Sequence, residues 1–186
     1  NFTNEIAGGF VGGDVEYLKD EIDLSIFIPG FKTKLGQQVI ALHGAAGTVD
    51  NIFSNKDVPS YTKYFLGGSN TVRGYSERSI KFVERDSSWN IISYGGLSNM
   101  YFNLEYRIPL VKDTISNVIF FDGGNIFKTS ASFSTIDWRY GYGFGFRITT
   151  PMGDLRLDWA RRISDTYPGA RDKGRTEIHF NIGNMF

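Results

Sequence analysis

At 186 residues the chain is long enough to form one domain with a sizeable core, and no second domain is required. Twenty basic and twenty acidic side chains cancel, which argues against nucleic acid or another polyanion as a partner. The lack of cysteine excludes disulfide frameworks, thiol catalysis and cysteine-based zinc sites. Aromatic residues at 16%, with 22 glycines against five prolines, describe a β-rich composition.

No charged-then-apolar segment opens the chain, so no signal peptide is read there. No run approaches the roughly 18–20 apolar residues of a membrane helix. A chain of this sequence that spans a membrane must therefore do so as a barrel.

In chain order, residues 3–12 read as a weak, Gly-rich strand ending at Gly12-Gly13-Asp14, a turn signal. From 16 to 28, Leu18, Ile22, Leu24, Ile26 and Ile28 alternate with Tyr17, Lys19, Glu21, Asp23 and Ser25, giving one apolar and one polar face. Pro29-Gly30 is expected to close that strand. Residues 35–47 form the next, with Val39 and Ile40 at its centre and small residues from Gly44 to Gly47.

Residues 48–93 have no sustained period and are far too long for an ordinary connection. Phe53, Tyr61, Tyr64, Phe65, Leu66, Tyr75, Phe82 and Trp89 make this an ordered, packed loop. Within it, Gly67, Gly68 and Gly74 allow tight bends on either side of Val72-Arg73-Gly74-Tyr75. That geometry presents one guanidinium at a loop tip, a planar fork suited to a fixed carboxylate.

The alternation then returns. Met100, Phe102, Leu104, Tyr106 and Ile108 face away from Tyr101, Asn103, Glu105 and Arg107, and Pro109 ends the run. Residues 115–127 are apolar on both faces around Asp122, so the period fails there. Tyr140, Tyr142, Phe144, Phe146 and Ile148 oppose Arg139, Gly141, Gly143, Gly145 and Arg147, an aromatic face against a face of Gly and Arg. That pattern fits a strand with lipid on one side and a crowded polar interior on the other. Thr150–Gly153 turns the chain, and Leu155, Leu157 and Trp159 alternate with Arg156, Asp158 and Ala160. After a polar loop at 164–174, Ile178, Phe180, Ile182 and Phe186 share one face of a closing strand.

Short connections at 29–34, 109–114 and 150–153 alternate with long ones at 48–93, 128–137 and 164–174. This asymmetry is that of an outer-membrane barrel. The expected fold is all-β, an antiparallel transmembrane β-barrel with eight strands in this chain, residues 1–186 forming one barrel domain.

Four stretches carry a family resemblance. Val72-Arg73-Gly74-Tyr75 in a long loop resembles the sixth-loop motif of the BamA/TamA/FhaC superfamily of outer-membrane assembly and secretion factors, the bacterial surface antigen family. Phe121-Asp122-Gly123-Gly124 resembles the aromatic-Asp-any-Gly element of a later strand of those barrels, and Thr150–Asp158 their Pro-any-Gly hairpin. Phe180-Asn181-Ile182-Gly183-Asn184-Met185-Phe186 is similar to their closing strand, which serves as an assembly signal. The resemblance runs over the whole chain, as the second half of a sixteen-stranded barrel, with no POTRA module in the sequence.

It implies that Arg73 reaches Asp122 on the inner wall with Glu105 nearby, and that Val72, Gly74, Tyr75 and Gly124 shape the motif. Phe180, Ile182, Gly183 and Phe186 would form the assembly signal. The implied location is the outer membrane of a Gram-negative or similar cell, with lipid and client outer-membrane proteins as partners.

No catalytic constellation is legible. His43 and His179 lie on different strands without carboxylates at ligand spacing, Ser69 and Ser76 lack a nucleophile-elbow context, and Gly141–Gly145 precedes no helix. The expectation is a non-enzyme without cofactor or metal. Two functions stay open: a factor for insertion or translocation of other proteins, or a barrel serving as membrane anchor or small-molecule binder.

The loop 48–93 is too bulky for the interior of a closed eight-stranded barrel, which its own side chains fill. A homodimer joined through first and last strands would give a barrel of family size. A closed small barrel and a piece of a longer chain are the alternatives.

Overall fold

The computed structural model describes residues 1–9, 15–51, 57–85, 87–88, 90–112, 114–130, 133–134, 136–151, 153–167 and 169–183. Its strands are β1 (Phe2–Ala7), β2 (Tyr17–Thr33), β3 (Gly36–Asp50), β4 (Phe82–Arg85), β5 (Ile91–Tyr94), β6 (Ser98–Val111), β7 (Ile115–Phe127), β8 (Arg139–Thr150), β9 (Gly153–Arg162) and β10 (Thr176–Ile182). Eight of them form one antiparallel sheet in the order β1-β2-β3-β6-β7-β8-β9-β10, while β4 and β5 pair separately inside the β3–β6 connection. The sheet is open: among the described residues β1 and β10 are its two edges and do not pair with each other. Residues 10–12 of the first expected strand, its Gly12-Gly13-Asp14 turn, and Phe53, Trp89 and Phe186 lie outside the described residues.

Alternation of side chains sets the two faces. On β8, Gly141, Gly143, Gly145 and Arg147 are buried on the inner side, and Tyr142, Phe144, Phe146 and Ile148 are exposed on the outer. The register continues that outer face across the sheet, placing Ile26, Leu42, Leu104, Phe121 and Tyr142 in one row. Such a wide exposed apolar surface demands a non-aqueous neighbour.

Two strand ends differ from the sequence expectation. β2 runs past Pro29-Gly30 to Thr33 with a register shift between Pro29 and Lys32, and β6 runs past Pro109 to Val111 with a similar shift. At Pro29 the reason is local: β1 reaches only as far as Ile22 along β2, so one side of β2 is an edge there and the missing N–H breaks no ladder. The β4–β5 hairpin was also not expected, because four-residue strands are too short to show a period.

β7 is a regular strand, and its doubled apolar character has a simple cause. Its outer residues Ile119 and Phe121 belong to the apolar surface, and its inner residues Val118, Phe120 and Ile126 are buried. The long loop supplies much of that cover. Leu66, Val72, Tyr75 and Ile80 of the loop pack with Tyr17, Val49 and Ile126 of the sheet in one core cluster.

Leu66 is 1% exposed at the centre of this contact. Leu66→Ala is therefore expected to cost about 2–5 kcal/mol and to lower the midpoint of denaturant unfolding while opening the loop to protease. An unchanged midpoint would mean that the loop adds nothing to the core.

Candidate functional site

The loop delivers Arg73 to the inner wall, where it is completely buried. Its Nε donates to Asp122 Oδ2 at 2.7 Å and its Nη2 to Asp122 Oδ1 at 2.8 Å, a two-pronged contact. The Arg73 backbone N–H donates to the same carboxylate at 3.0 Å, so Asp122 fixes both main chain and side chain. Nη1 donates to Glu105 Oε1 at 2.7 Å and lies 3.4 Å from Asp158 Oδ2. The guanidinium rests on the Phe120 ring, 3.5 Å from its centroid, at a distance typical of a cation–π contact.

A second layer surrounds this one. Arg107 donates to Glu105 Oε2 at 2.8 Å. Arg147 reaches Glu105 Oε1 at 3.2 Å and Asp158 Oδ1 at 2.5 Å. Arg156 is 2% exposed and donates from Nη2 to Asn70 Oδ1 at 2.7 Å, while its Nε and Nη1 have no hydrogen-bond partner among the described residues. Charge pairing of this density is how ionised groups persist away from water.

Glycine makes the approach possible. A Cβ on Gly141 would stand 1.9 Å from the Arg73 carbonyl oxygen, and one on Gly145 would stand 1.9 Å from Asp158 Oδ1. The Gly face of β8 is therefore a groove cut for the loop and for the Asp158 carboxylate of β9. Gly74 takes a φ of +91°, in the left-handed region, with its Cα against the backbone of Arg161 and Arg162.

Tyr75 is buried, donates to the Ser164 carbonyl at 2.9 Å and lies 3.1 Å from that of Tyr140. Burial pushes its phenol up to about 12, so the hydroxyl keeps its proton near neutrality. Arg162 donates to the Gly74 carbonyl at 2.7 Å and sits over the Tyr75 ring at 4.9 Å. Asn103 holds the Thr71 carbonyl at 2.6 Å on the other side.

The structure thus brings Val72, Arg73, Gly74, Tyr75, Glu105 and Asp122 together. Gly124 lies near the loop on β7, where an added Cβ would meet Tyr101 at 2.6 Å and Leu66 at 3.1 Å. Phe180 and Ile182 stand apart on the exposed face of β10, and the Gly183 N–H donates to the Asp154 carbonyl at 2.7 Å. His43 bridges Asp23, at 2.7 Å, and Asn103, at 3.0 Å, and His179 accepts the Gly74 N–H at 3.1 Å.

Sequence reasoning missed Asp158, Arg147 and Phe120 as members of the cluster. A signal for Asp158 existed: an inward carboxylate flanked by Arg on an otherwise lipid-facing strand needs a partner.

An antiparallel sheet with an apolar outer face, a charged inner face and a loop pinned to that inner wall defines an integral outer-membrane β-barrel protein. The chain matches the Omp85 superfamily domain over residues 1–186 and belongs to that superfamily. It is 30% identical over 188 residues to the outer membrane protein assembly factor BamA of Nitratidesulfovibrio vulgaris, covering 98% of this chain and 22% of that protein. It is 26% identical over 206 residues to a SAM50-like protein of Schizosaccharomyces pombe, covering 99% of this chain and 39% of the relative. Outer envelope protein 80 of Arabidopsis thaliana chloroplasts is 29% identical over 131 residues, with 64% of this chain and 14% of that protein covered. The chain is accordingly an outer-membrane protein related to protein assembly and insertion factors, and it spans well under half the length of these relatives.

Arg73→Ala is expected to strand Asp122 as a buried carboxylate and to cost about 3–5 kcal/mol, read as a lower temperature for loss of the folded, fast-migrating form on gels. Arg73→Lys should recover little of this, because an ammonium cannot span both Asp122 oxygens. Wild-type heat resistance in both variants would remove the ion pairs from any role in stability.

Proposed function

We propose that the chain forms part of the membrane barrel of a factor that assembles other outer-membrane proteins, without enzymatic chemistry, and that the Arg73–Asp122 lock holds the barrel wall in its working shape. One observation carries this: a charged loop is buried against the inner wall of a sheet in which β1 and β10 are, among the described residues, the outermost strands. Edge strands offer rows of free N–H and C=O groups, which is what an incoming client strand requires. In this reading Val72, Gly74, Tyr75 and Gly124 fit the loop to the wall around Arg73, Glu105 and Asp122. Phe180, Ile182, Gly183 and Phe186 form the recognition signal of the closing strand. Residues 1–186 correspond to the second half of a sixteen-stranded barrel, completed by further strands or by a second copy through β1 and β10.

Lipid is the partner of the outer face. Ile119, at mid-β7 and 53% exposed, tests that assignment: Ile119→Arg should cost about 2–4 kcal/mol in the bilayer and reduce insertion into vesicles. The assembly role is tested with the full gene product in liposomes, following the folding of a small client barrel by its gel migration. Folding faster than in empty liposomes is expected, with the gain lost in Arg73→Ala. A client rate equal to that of empty liposomes would overturn the role.

A further inference from the structure

We propose that the long loop positions the edge strand β10, through Glu177, His179 and Asn181. These three residues occupy the inner face of the strand, and each meets a different point of the loop. Ser76 Oγ donates to Glu177 Oε1 at 2.8 Å. The Gly74 N–H donates to His179 Nε2 at 3.1 Å, which requires a neutral ring with its proton on Nδ1. Asn181 Nδ2 donates to Ser69 Oγ at 2.9 Å and to Asn70 Oδ1 at 3.1 Å. Loop numbers fall as strand numbers rise, so residues 69–76 run antiparallel along the inner side of β10.

The strap is itself fastened to the wall. Arg73 lies between the anchoring points and is ion-paired to Glu105 on β6, Asp122 on β7 and Asp158 on β9. Asn70 Oδ1, which accepts from Asn181, also accepts from the buried Arg156. Glu177 is shared in the same way, accepting from Arg162 Nη2 at 2.9 Å. Every loop group that holds β10 is thus within a few residues of the ion-pair cluster.

Such a strap matters because β10 has few other constraints. It is seven residues long and, among the described residues, pairs with β9 alone. Ile178, Phe180 and Ile182 on its outer face are 71%, 64% and 61% exposed. The opposite edge is built differently. Side-chain hydrogen bonds of β1 run to its neighbour β2, from Asn4 to Asp20 and from Tyr17 to Glu5. A cavity of about 390 Å³ lies between Asn1 and Thr3 on that edge and Tyr64, Phe65 and Thr71 of the loop. Among the described residues, one edge is strapped to the loop and the other borders a gap.

The loop therefore sets where the outer hydrogen-bonding edge of β10 sits, the edge at which a further strand would pair. Use of that edge in assembly rests on the function proposed above. The strap itself does not, and hydrogen exchange reports it whether or not the protein assembles clients.

The test is amide exchange on the full gene product in lipid nanodiscs. In a His179→Phe, Asn181→Ala variant, amides of Thr176–Ile182 should exchange about tenfold faster, the loss of two or three modest hydrogen bonds, while β6–β8 stay protected. His179→Gln, whose amide oxygen can accept the same Gly74 N–H, should keep β10 near wild-type protection. Unchanged β10 exchange in the double variant would overturn the proposal and leave β9 as the sole support. Should the double variant not insert, Ser76→Ala decides. It removes only the contact to Glu177, and faster exchange confined to β10 supports the strap, whereas no change, or a rise spread over the whole sheet, refutes it.

Discussion

Everything on the inner side of this sheet depends on burying one guanidinium. Arg73 gives up its hydration entirely, and the cost is offset only because Asp122, Glu105 and Asp158 surround it from three different strands. A buried ion pair of this kind contributes little net stability over an apolar packing of the same volume. What it contributes is register. The loop can dock in one place, because a displacement of even one residue leaves Asp122 and the Arg73 guanidinium unpaired in a space closed to water. The Phe120 ring beneath the guanidinium and the glycines of β8 beside it fix the remaining freedom.

The same docking explains how the sheet is soluble in two different media. Its outer side presents a continuous apolar surface suited to acyl chains. Its inner side is not a uniform polar wall: part is charged, and part is apolar because the loop, not water, covers it. Val72, Tyr75, Leu66 and Ile80 on the loop and Val49 and Ile126 on the strands form the core that a soluble domain would place between two sheets. The loop thus replaces a second layer.

Much of this was legible in the amino-acid order. Lipid on one side and polar groups on the other impose a period of two, so the strands at 16–28, 100–108, 139–148 and 155–160 announce themselves. So does the loop, by losing that period while keeping its aromatics. What was not legible has physical causes. Prolines read as strand ends, yet β2 and β6 absorb Pro29 and Pro109 at irregularities of register. β7 reads as aperiodic because its inner cover is apolar, a fact of tertiary contact. Arg147 looks like an ordinary polar wall residue, since a lumen-facing strand position carries no mark of which loop will reach it. Gly141 and Gly145 read as small residues on a polar face, and only the 1.9 Å approaches of the Arg73 carbonyl and the Asp158 carboxylate show why they are small.

Charge counting carries the logic of the inner wall one step further. Arg73, Arg107 and Arg147 balance Glu105, Asp122 and Asp158 in the ion-paired cluster, and the buried Arg156 stands beside it as one further cation. The excess falls on Arg156, whose contact to Asn70 is a neutral one. Its position is informative, because Arg156 sits opposite Asn181 in the β9–β10 register and holds the same Asn70 oxygen. A cation without a carboxylate cannot lock the loop as Arg73 does; it can only bias an amide that two groups share. Across the sheet the restraint on the loop therefore declines from the paired charges on β6, β7 and β9 to single hydrogen bonds at β10. Ion pairs fasten the loop to β6, β7 and β9, and hydrogen bonds alone carry its hold outward to β10, where an added strand would have to form.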